Sequence, residues 1–334
     1  MTGGTWQPPE GAMKEDVGPG PIAGQGASKQ HRGVKGSDVA GSRGLRLVLP
    51  KGSLEKATFD LFEAADLGVV RSSGVDYRAV VDDPRIGEVR ILRPQEIPIY
   101  VEKGLFDLGI TGRDWIEETG ADVVSLGELA YSKVTSNPIR VVLAVPADSP
   151  VDDARDLPQK MSISTEYPQL TRRFVDKLGI DADIQLSYGA TEAKVPDIVD
   201  AVVEITETGR ALRAAGLKII STLLVSRTEL IANRESVKDA GMLHAMEQIM
   251  TLLIGALEAR GKVLIKLNVT KASLPAVLDL LPSMKSPTIS ELAGGGGYAV
   301  ETVVPKSNVN VLIPDLKDAG ASDIVEIPIA KVVH

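Results

Sequence analysis

The stretch Asp200-Ala-Val-Val-Glu-Ile-Thr-Glu-Thr-Gly-Arg-Ala-Leu212 joins a buried strand to a helix. The apolar run 201–205 predicts the strand, and the pattern over 210–215 predicts the helix. The turn between them carries hydroxyls and a glycine, and it leaves backbone N–H groups at the positive end of a helix dipole, where phosphate binds. The acids Asp200 and Glu204 suit sugar hydroxyls, or a Mg²⁺ that carries further phosphate. The stretch therefore indicates a phosphorylated sugar, with an ordinary Thr-capped strand–turn–helix as the alternative.

Composition limits the possible functions. The chain has 334 residues, enough for two or three domains, and its 43% hydrophobic content can fill their cores. The net charge of −8 argues against a general nucleic-acid surface, which needs a basic face. There are no cysteines, so disulfides and thiolate nucleophiles are excluded. With three histidines, a histidine-rich metal site is not expected.

The lengths of the apolar stretches and the composition of the N-terminal segment bear on where the protein is located. No uninterrupted apolar stretch approaches the ~18–20 residues of a membrane span. Residues 1–44 are rich in Gly, Pro, Ser and charge, and they lack the apolar segment of a secretory signal. We therefore predict a disordered leader over 1–44, a cytoplasmic protein and no membrane partner.

Strands and helices alternate from residue 45 onward. Apolar runs at 45–50, 89–92 and 106–110 predict strands, and helical patterns follow each of them. A second unit of the same kind begins at about Ile139 and contains the opening stretch. Alternation of this kind predicts α/β lobes with largely parallel sheets. Two adjacent lobes commonly bind ligands at strand carboxyl ends that face the crevice.

The tail after the long helical pattern 236–259 has a different order. Its predicted elements run β-α-β-β-α-β, which is ferredoxin-like and suggests a small sensor domain. The four glycines Gly294–Gly297 lie between two strands, so we interpret them as a hairpin loop. No G-x-G-x-x-G opens a helix and no Walker-type loop occurs, so dinucleotide and P-loop sites are unsupported.

Five motifs in order, together with a tail segment, resemble one family. They are Leu49-Pro-Lys-Gly-Ser-Leu54, Arg93-Pro94, Phe106-Asp-Leu-Gly-Ile-Thr-Gly-Arg-Asp114, Tyr167-Pro168, Glu204 to Leu212 and, in the tail, Ser286-Pro-Thr-Ile289. Over residues 45–334 the chain resembles the ATP phosphoribosyltransferases of histidine biosynthesis in their long form. The resemblance implies transfer of the phosphoribosyl group of PRPP to N1 of ATP, with Mg²⁺ as cofactor and pyrophosphate as leaving group.

The resemblance also implies an architecture. It implies two α/β lobes like those of periplasmic binding proteins: lobe I over 45–138, with 228–259 returning to it, and lobe II over 139–227. A ferredoxin-like, ACT-like regulatory domain over 260–334 would bind L-histidine as feedback inhibitor. Family members of this form assemble as homo-hexamers in equilibrium with dimers.

Matching motif positions carries the PRPP site over to the opening stretch. The family's phosphate loop corresponds to Glu207, Thr208, Gly209 and Arg210, and the acid before it, Glu204, would meet the ribose hydroxyls. Glu204 stands where the family often has Asp. Two further departures are Ala211, where the family usually has Thr or Ser, and Ser53, where it frequently has Arg, so neither side chain is assigned a contact.

Four residues match the family's ATP site: Lys51, Arg93, Asp114 and Tyr167. Lys51 and Arg93 would contact phosphate. The alternative is that each takes part in a solvated or structural ion pair. Asp114 would contact the nucleotide, or simply cap its helix. Tyr167 would lie against the adenine, or be a half-buried loop aromatic. Catalytic and metal-ligating residues are not assigned, because adenine N1 attacks and no protein nucleophile is needed.

The effector site of the tail corresponds to Asn268, Ser286 and Thr288. The alternative is a tail that only holds subunits together. Two other functions remain open at this stage. One is a non-catalytic two-lobed sensor that binds a small anion. The other is a transcription regulator with a ferredoxin-like sensor tail, but no basic helix-turn-helix is found.

Overall fold

The computed structural model describes residues 43–74, 76–132, 137–282 and 286–334. The predicted leader lies outside the described residues except for Arg43 and Gly44. The first elements in the chain are β1 (Leu45–Pro50), α1 (Glu55–Ala64), β2 (Val69–Val70), β3 (Arg78–Val81), β4 (Ile86–Leu92), α2 (Ile97–Glu102), β5 (Leu108–Gly112), α3 (Arg113–Thr119) and β6 (Val123–Leu129). Next come β7 (Ile139–Pro146), β8 (Met161–Thr165), α4 (Pro168–Lys177), β9 (Ala182–Leu186), β10 (Ala201–Thr206), α5 (Arg210–Ala214) and β11 (Leu217–Ser226). The last are β12 (Thr228–Asn233), α6 (Ala240–Ala259), β13 (Lys262–Val269), α7 (Leu274–Leu280), β14 (Thr288–Glu291), β15 (Tyr298–Pro305), α8 (Val309–Asp318) and β16 (Ala321–Pro328).

Three sheets organise these elements. A seven-stranded sheet has the order β2-β3-β4-β1-β5-β12-β6, and a five-stranded sheet has the order β11-β7-β10-β8-β9. They are the sheets of lobe I and lobe II, and they give the two-lobed α/β fold that the resemblance implies. The residue boundaries of the lobes stay a prediction, although β12 does return to the first sheet after the chain has passed through the second.

The sheets are mixed, which corrects the expectation of largely parallel sheets. In lobe I, β1 pairs in parallel with β4 and β5, whereas β12 is antiparallel to β5 and β6. The reason is the way the chain crosses between lobes. Thr228 at the start of β12 pairs with Gly112 at the carboxyl end of β5, and Arg140 in β7 pairs with Thr206 at the carboxyl end of β10. A strand that enters its sheet at the carboxyl edge must run against its neighbours.

The core of lobe I surrounds β1, the central strand of its sheet. Leu47, Val48 and Leu49 are fully buried, as expected for a strand covered on both faces. Helix α6 supplies Met246 and Leu253 to the same core. Among the described residues, α6 alone is long and apolar enough to span a membrane, a test that core helices also pass. It begins at Ala240, later than predicted, because Asp239 caps it by accepting the N–H of Met242 at 2.9 Å.

The tail forms a four-stranded antiparallel sheet in the order β14-β15-β13-β16. This is the ferredoxin-like order, so the fold predicted for the tail is confirmed. The four glycines connect β14 to β15 as a hairpin, with the N–H of Leu292 bonded to the carbonyl of Gly297 at 2.9 Å. The end of the chain also contacts lobe I, because the N–H of Val332 donates to the carbonyl of Gly255 in α6 at 2.9 Å.

Candidate functional site

The carboxyl edge of the lobe I sheet carries two of the predicted cations. Lys51 follows β1, and its N–H bonds the carbonyl of Leu92 at the end of β4, just before Arg93. The Lys51 ammonium lies 3.9 Å from the centre of the Tyr77 ring. Within the described ranges, neither Lys51 nor Arg93 is in an ion pair with a carboxylate. The structure therefore brings both cations to one edge of the sheet with their charges not neutralised there, which is what phosphate contacts require.

The predicted phosphate loop lies at the carboxyl end of β10. Gly209 has φ +71°, a left-handed conformation that glycine adopts without strain. Its N–H donates to the Thr206 hydroxyl at 2.7 Å, and the N–H of Arg210 makes a longer bond of 3.4 Å to the Thr208 hydroxyl. These two N–H groups must leave their threonines to bind phosphate. Thr206, which was not predicted, is thus the internal partner of the loop.

Two further contacts hold the loop in place. The Arg213 guanidinium donates to the carbonyl of Thr208 at 3.0 Å. The Ser132 hydroxyl donates to Glu207 at 2.6 Å. Ser132 follows β6, so Glu207 ties the loop to the segment that leads from lobe I into lobe II.

Glu204, the predicted ribose contact, is partly buried beside the loop. Burial raises the pKa of its carboxyl group, and the nearby Glu166 and Glu192 act in the same direction. The N–H of Ile205, at 2.8 Å, and the Thr191 hydroxyl oppose that shift by bonding the carboxylate. Its charge is therefore held by few donors, and a sugar hydroxyl would supply another.

A hydrogen-bonded network behind Glu204 was missed by the sequence reasoning. Thr191 contacts the Ser187 hydroxyl at 3.1 Å, and the Lys194 ammonium donates to Ser187 at 2.6 Å. These residues come from the segment that follows β9, and they follow no recognisable motif. Only the folded chain places them beside β10.

Asp114 and Tyr167 meet across the two lobes. The Tyr167 hydroxyl donates to Asp114 at 2.8 Å, and the Ser226 hydroxyl donates to the other carboxylate oxygen at 2.6 Å. Asp114 is 3% exposed and Tyr167 is 2% exposed, so Tyr167 is buried and not half-buried. Burial raises the pKa of Asp114, and burial together with the Asp114 charge raises the pKa of Tyr167.

That burial bears on the predicted ATP roles. In this conformation neither side chain presents a surface to a base, and contact with adenine requires the Tyr167–Asp114 bond to separate. The Asp114 carboxylate also bonds backbone N–H groups in the first turn of its own helix, its own and that of Trp115, so the capping alternative stays a prediction too. Their assignment to ATP stays a prediction. Ser226 had no sequence signal, since it lies 112 residues from Asp114.

The predicted effector residues separate into two places. Ser286 and Thr288 line a cavity of about 240 Å³ in the C-terminal domain, together with Glu301 and His334. Asn268 is not among the lining residues, and its amide donates to Asp323 at 2.9 Å. The structure therefore brings two of the three effector residues together.

The described residues contain no group of three or more His, Asp or Glu side chains arranged to hold a metal ion. A metal that is held mainly by substrate phosphates needs only one or two protein carboxylates. The acidic surroundings of Glu204 fit a metal that is held mainly by substrate phosphates. No protein ligand to the metal is assigned.

Comparisons with known proteins agree over most of the chain. Residues 93–255 match the family described as HisG: ATP phosphoribosyltransferase, and residues 259–331 match the HisG C-terminal domain. The ATP phosphoribosyltransferase of Pelotomaculum thermopropionicum is 47% identical over 290 residues, which are 86% of this chain and 99% of that protein. That of Chlorobium chlorochromatii is 45% identical over 289 residues, 86% of this chain and 97% of that protein. A solved ATP phosphoribosyl transferase (HisG:HisZ) complex from Thermotoga maritima aligns with a TM-score of 0.51 at 25% identity, covering 62% of this chain and 98% of the solved chain.

Proposed function

The chain belongs to the ATP phosphoribosyltransferase family, and from that premise we propose how its residues divide the two substrates. The enzyme transfers the phosphoribosyl group of PRPP to N1 of ATP and releases pyrophosphate, which is the first step of L-histidine biosynthesis. PRPP lies on lobe II and the phosphates of ATP lie on lobe I. The observation that carries this division is the position of the phosphate loop at the carboxyl edge of one sheet and of Lys51 and Arg93 at that of the other.

On lobe II, the 5-phosphate of PRPP meets the main chain of Glu207, Thr208, Gly209 and Arg210, together with the Thr208 hydroxyl. Three features support this placement: the left-handed Gly209, the two N–H groups held by hydroxyls, and the start of α5. Glu204 holds the ribose hydroxyls, because its carboxylate has few donors and lies beside the loop.

On lobe I, Lys51 and Arg93 contact the phosphates of ATP. Asp114 and Tyr167 act at the adenine end, where Tyr167 exchanges its bond to Asp114 for contact with the base. The side chains make that exchange, and neither α3, which carries Asp114, nor α4, which follows Tyr167, needs to move.

Displacement at the anomeric carbon passes through an oxocarbenium-like state. The adenine N1 attacks, so the chain's residues need to align two charged substrates and stabilise the departing pyrophosphate. We assign Lys51, Arg93 and the loop to alignment and charge stabilisation. When bound, Mg²⁺ supplies charge neutralisation at the diphosphate, and Glu204 with its neighbouring carboxylates is the protein group that fits it.

We also propose how the enzyme is regulated, how it assembles and where in the cell it works. L-Histidine binds the C-terminal domain at Ser286 and Thr288, with Asn268 as a further contact, and inhibits the reaction. Its support is the cavity that the first two residues line together with Glu301 and His334. The assembly is a homo-hexamer in equilibrium with a dimer, and the enzyme works in the cytoplasm without nucleic-acid or membrane partners.

The test is product formation with omission controls. Purified chain is mixed with ATP, PRPP and Mg²⁺, and pyrophosphate and phosphoribosyl-ATP are measured. Both products are expected only when all three components are present and histidine is absent. Binding of a single ligand without any phosphoribosyl-ATP would instead support the non-catalytic sensor.

A further inference from the structure

Helix α3 of lobe I docks directly onto helix α4 of lobe II. Trp115 of α3 packs against the hydrophobic core of lobe II, with its ring centre 4.5 Å from that of Tyr167. The Arg173 guanidinium of α4 donates to the carbonyl of Glu117 in α3. The two lobes are therefore joined by side chains as well as by the chain crossings.

Glu118 makes the most specific contact of this junction. Its two carboxylate oxygens accept the N–H groups of Gln169 at 3.0 Å and Leu170 at 2.8 Å. Glu118 itself is only 9% exposed. The first N–H groups of a helix have no partner within the helix. Helix α4 has no side-chain cap from Tyr167, the residue before it. An acid from the other lobe thus caps α4 and complements its dipole.

We propose that Glu118 is a positioning residue for the phosphoribosyl transfer. Glu118 anchors the main chain of Gln169 and Leu170 to lobe I. It thereby fixes the position of α4, and of Tyr167 just before it, relative to lobe I. It thereby sets the separation between ATP on lobe I and PRPP on lobe II. This inference rests on the division of substrates proposed above.

The anchor differs in kind from the Tyr167–Asp114 bond. That bond joins two side chains, and rotation of the tyrosine can break it while the backbone stays in place. Glu118 holds backbone N–H groups, so it can remain bonded whichever partner Tyr167 takes. The junction then keeps Tyr167 at the crevice through the whole cycle.

The inference predicts a loss in turnover that PRPP binding does not share. The phosphate loop is on another part of lobe II and makes no contact with Glu118, so PRPP alone should bind as before. Turnover needs both substrates in register, and a shift of about 1 Å far from the reacting atoms can reduce a rate by about 100-fold.

The variant to test is Glu118→Gln. Its amide can accept one N–H but presents an NH₂ group to the other. Glu117→Gln is the matched control, because Glu117 is the neighbouring residue of α3 and its side chain pairs with Arg113 of the same helix. We expect kcat of Glu118→Gln to fall roughly 10- to 100-fold relative to the control, with the Kd for PRPP unchanged. Equal kcat values for the two variants, or a parallel loss of PRPP affinity, would overturn the inference.

Hydrogen exchange of the unmodified protein decides the matter independently of any variant. The amides of Gln169 and Leu170 should be protected both without ligand and with ATP or PRPP bound. Rapid exchange of these amides in either state overturns the inference even if Glu118→Gln fails to fold. If the unmodified chain makes no phosphoribosyl-ATP while these amides are protected, the proposed function fails and the junction between the lobes stands.

Discussion

Replacing Gly209 by alanine tests the phosphate loop against a control that the chain itself provides. Gly209 and Gly216 lie at the two ends of α5, and both are left-handed, with φ of +71° and +76°. A Cβ at Gly216 meets nothing within 4 Å, whereas a Cβ at Gly209 would lie 2.9 Å from the Arg213 guanidinium and 3.1 Å from Ile219. The two substitutions share the backbone strain and differ in the loop.

The structure sets the expected magnitudes. A left-handed conformation costs an alanine about 1–2 kcal/mol, so both variants should lose about that much free energy of unfolding. Gly209→Ala adds the displacement of Arg213, whose bond to the Thr208 carbonyl contributes about 1–3 kcal/mol. Weakening one N–H contact to a phosphate costs about 1.5–3 kcal/mol, which is roughly 10- to 100-fold in PRPP affinity.

The assay is calorimetric titration with PRPP and Mg²⁺, preceded by thermal unfolding to establish that each variant folds. Gly209→Ala should bind PRPP roughly 10- to 100-fold more weakly than Gly216→Ala. If both folded variants bind PRPP with the affinity of the unmodified chain, the loop does not hold the 5-phosphate. If both lose affinity equally, the effect comes from α5 as a whole and the assignment to Gly209 is wrong.

Tyr167→Phe keeps the ring and removes the hydroxyl bonded to Asp114, so the free energy of unfolding should fall by about 1–3 kcal/mol. ATP affinity, measured by calorimetry, should not fall and should rise, because the bond no longer has to separate when the base binds; a large loss of ATP affinity would contradict a contact made by the ring. The raised pKa of Asp114 means that the folded state holds its proton more tightly, so its stabilising contribution is present below the ordinary value of 3.8 and is lost as pH rises through the folded pKa. Asp114→Asn should remove this loss of stability. Denaturant unfolding from acid pH to neutrality should therefore give a difference in free energy of unfolding between the variant and the unmodified chain that changes with pH. A difference that stays constant with pH would refute the assignment of the raised pKa to Asp114. Thr288→Ala should weaken inhibition by L-histidine at fixed ATP and PRPP with activity retained, and Asn268→Ala should weaken it less, because Asn268 is bonded to Asp323 outside the cavity; full sensitivity in both would place the effector site elsewhere.

Local patterns in the sequence were enough to identify the elements that carry the site. The apolar run predicted over 201–205, which contains Glu204, lies within β10, and the strand predicted over 45–50 is β1 with the same bounds. An apolar run bounded by glycine and hydroxyl residues can be recognised as a strand from its own side chains, because a buried strand needs apolar residues along its length and turn residues at its ends. The ferredoxin-like order of the tail follows for the same reason, and the motifs in sequence order were sufficient to predict the family.

Contacts between distant residues were decided by the tertiary structure alone. Asp114, Tyr167 and Ser226 come from three separate segments, and Glu118 caps a helix that begins 50 residues later, across the crevice. No local pattern marks these partners, since a carboxylate that caps another lobe's helix has the same sequence context as a solvated one. The mixed direction of the sheets is equally non-local, because it depends on where the chain crosses between the lobes. Burial and pairing are properties of neighbours in space, and the sequence orders neighbours only along the chain.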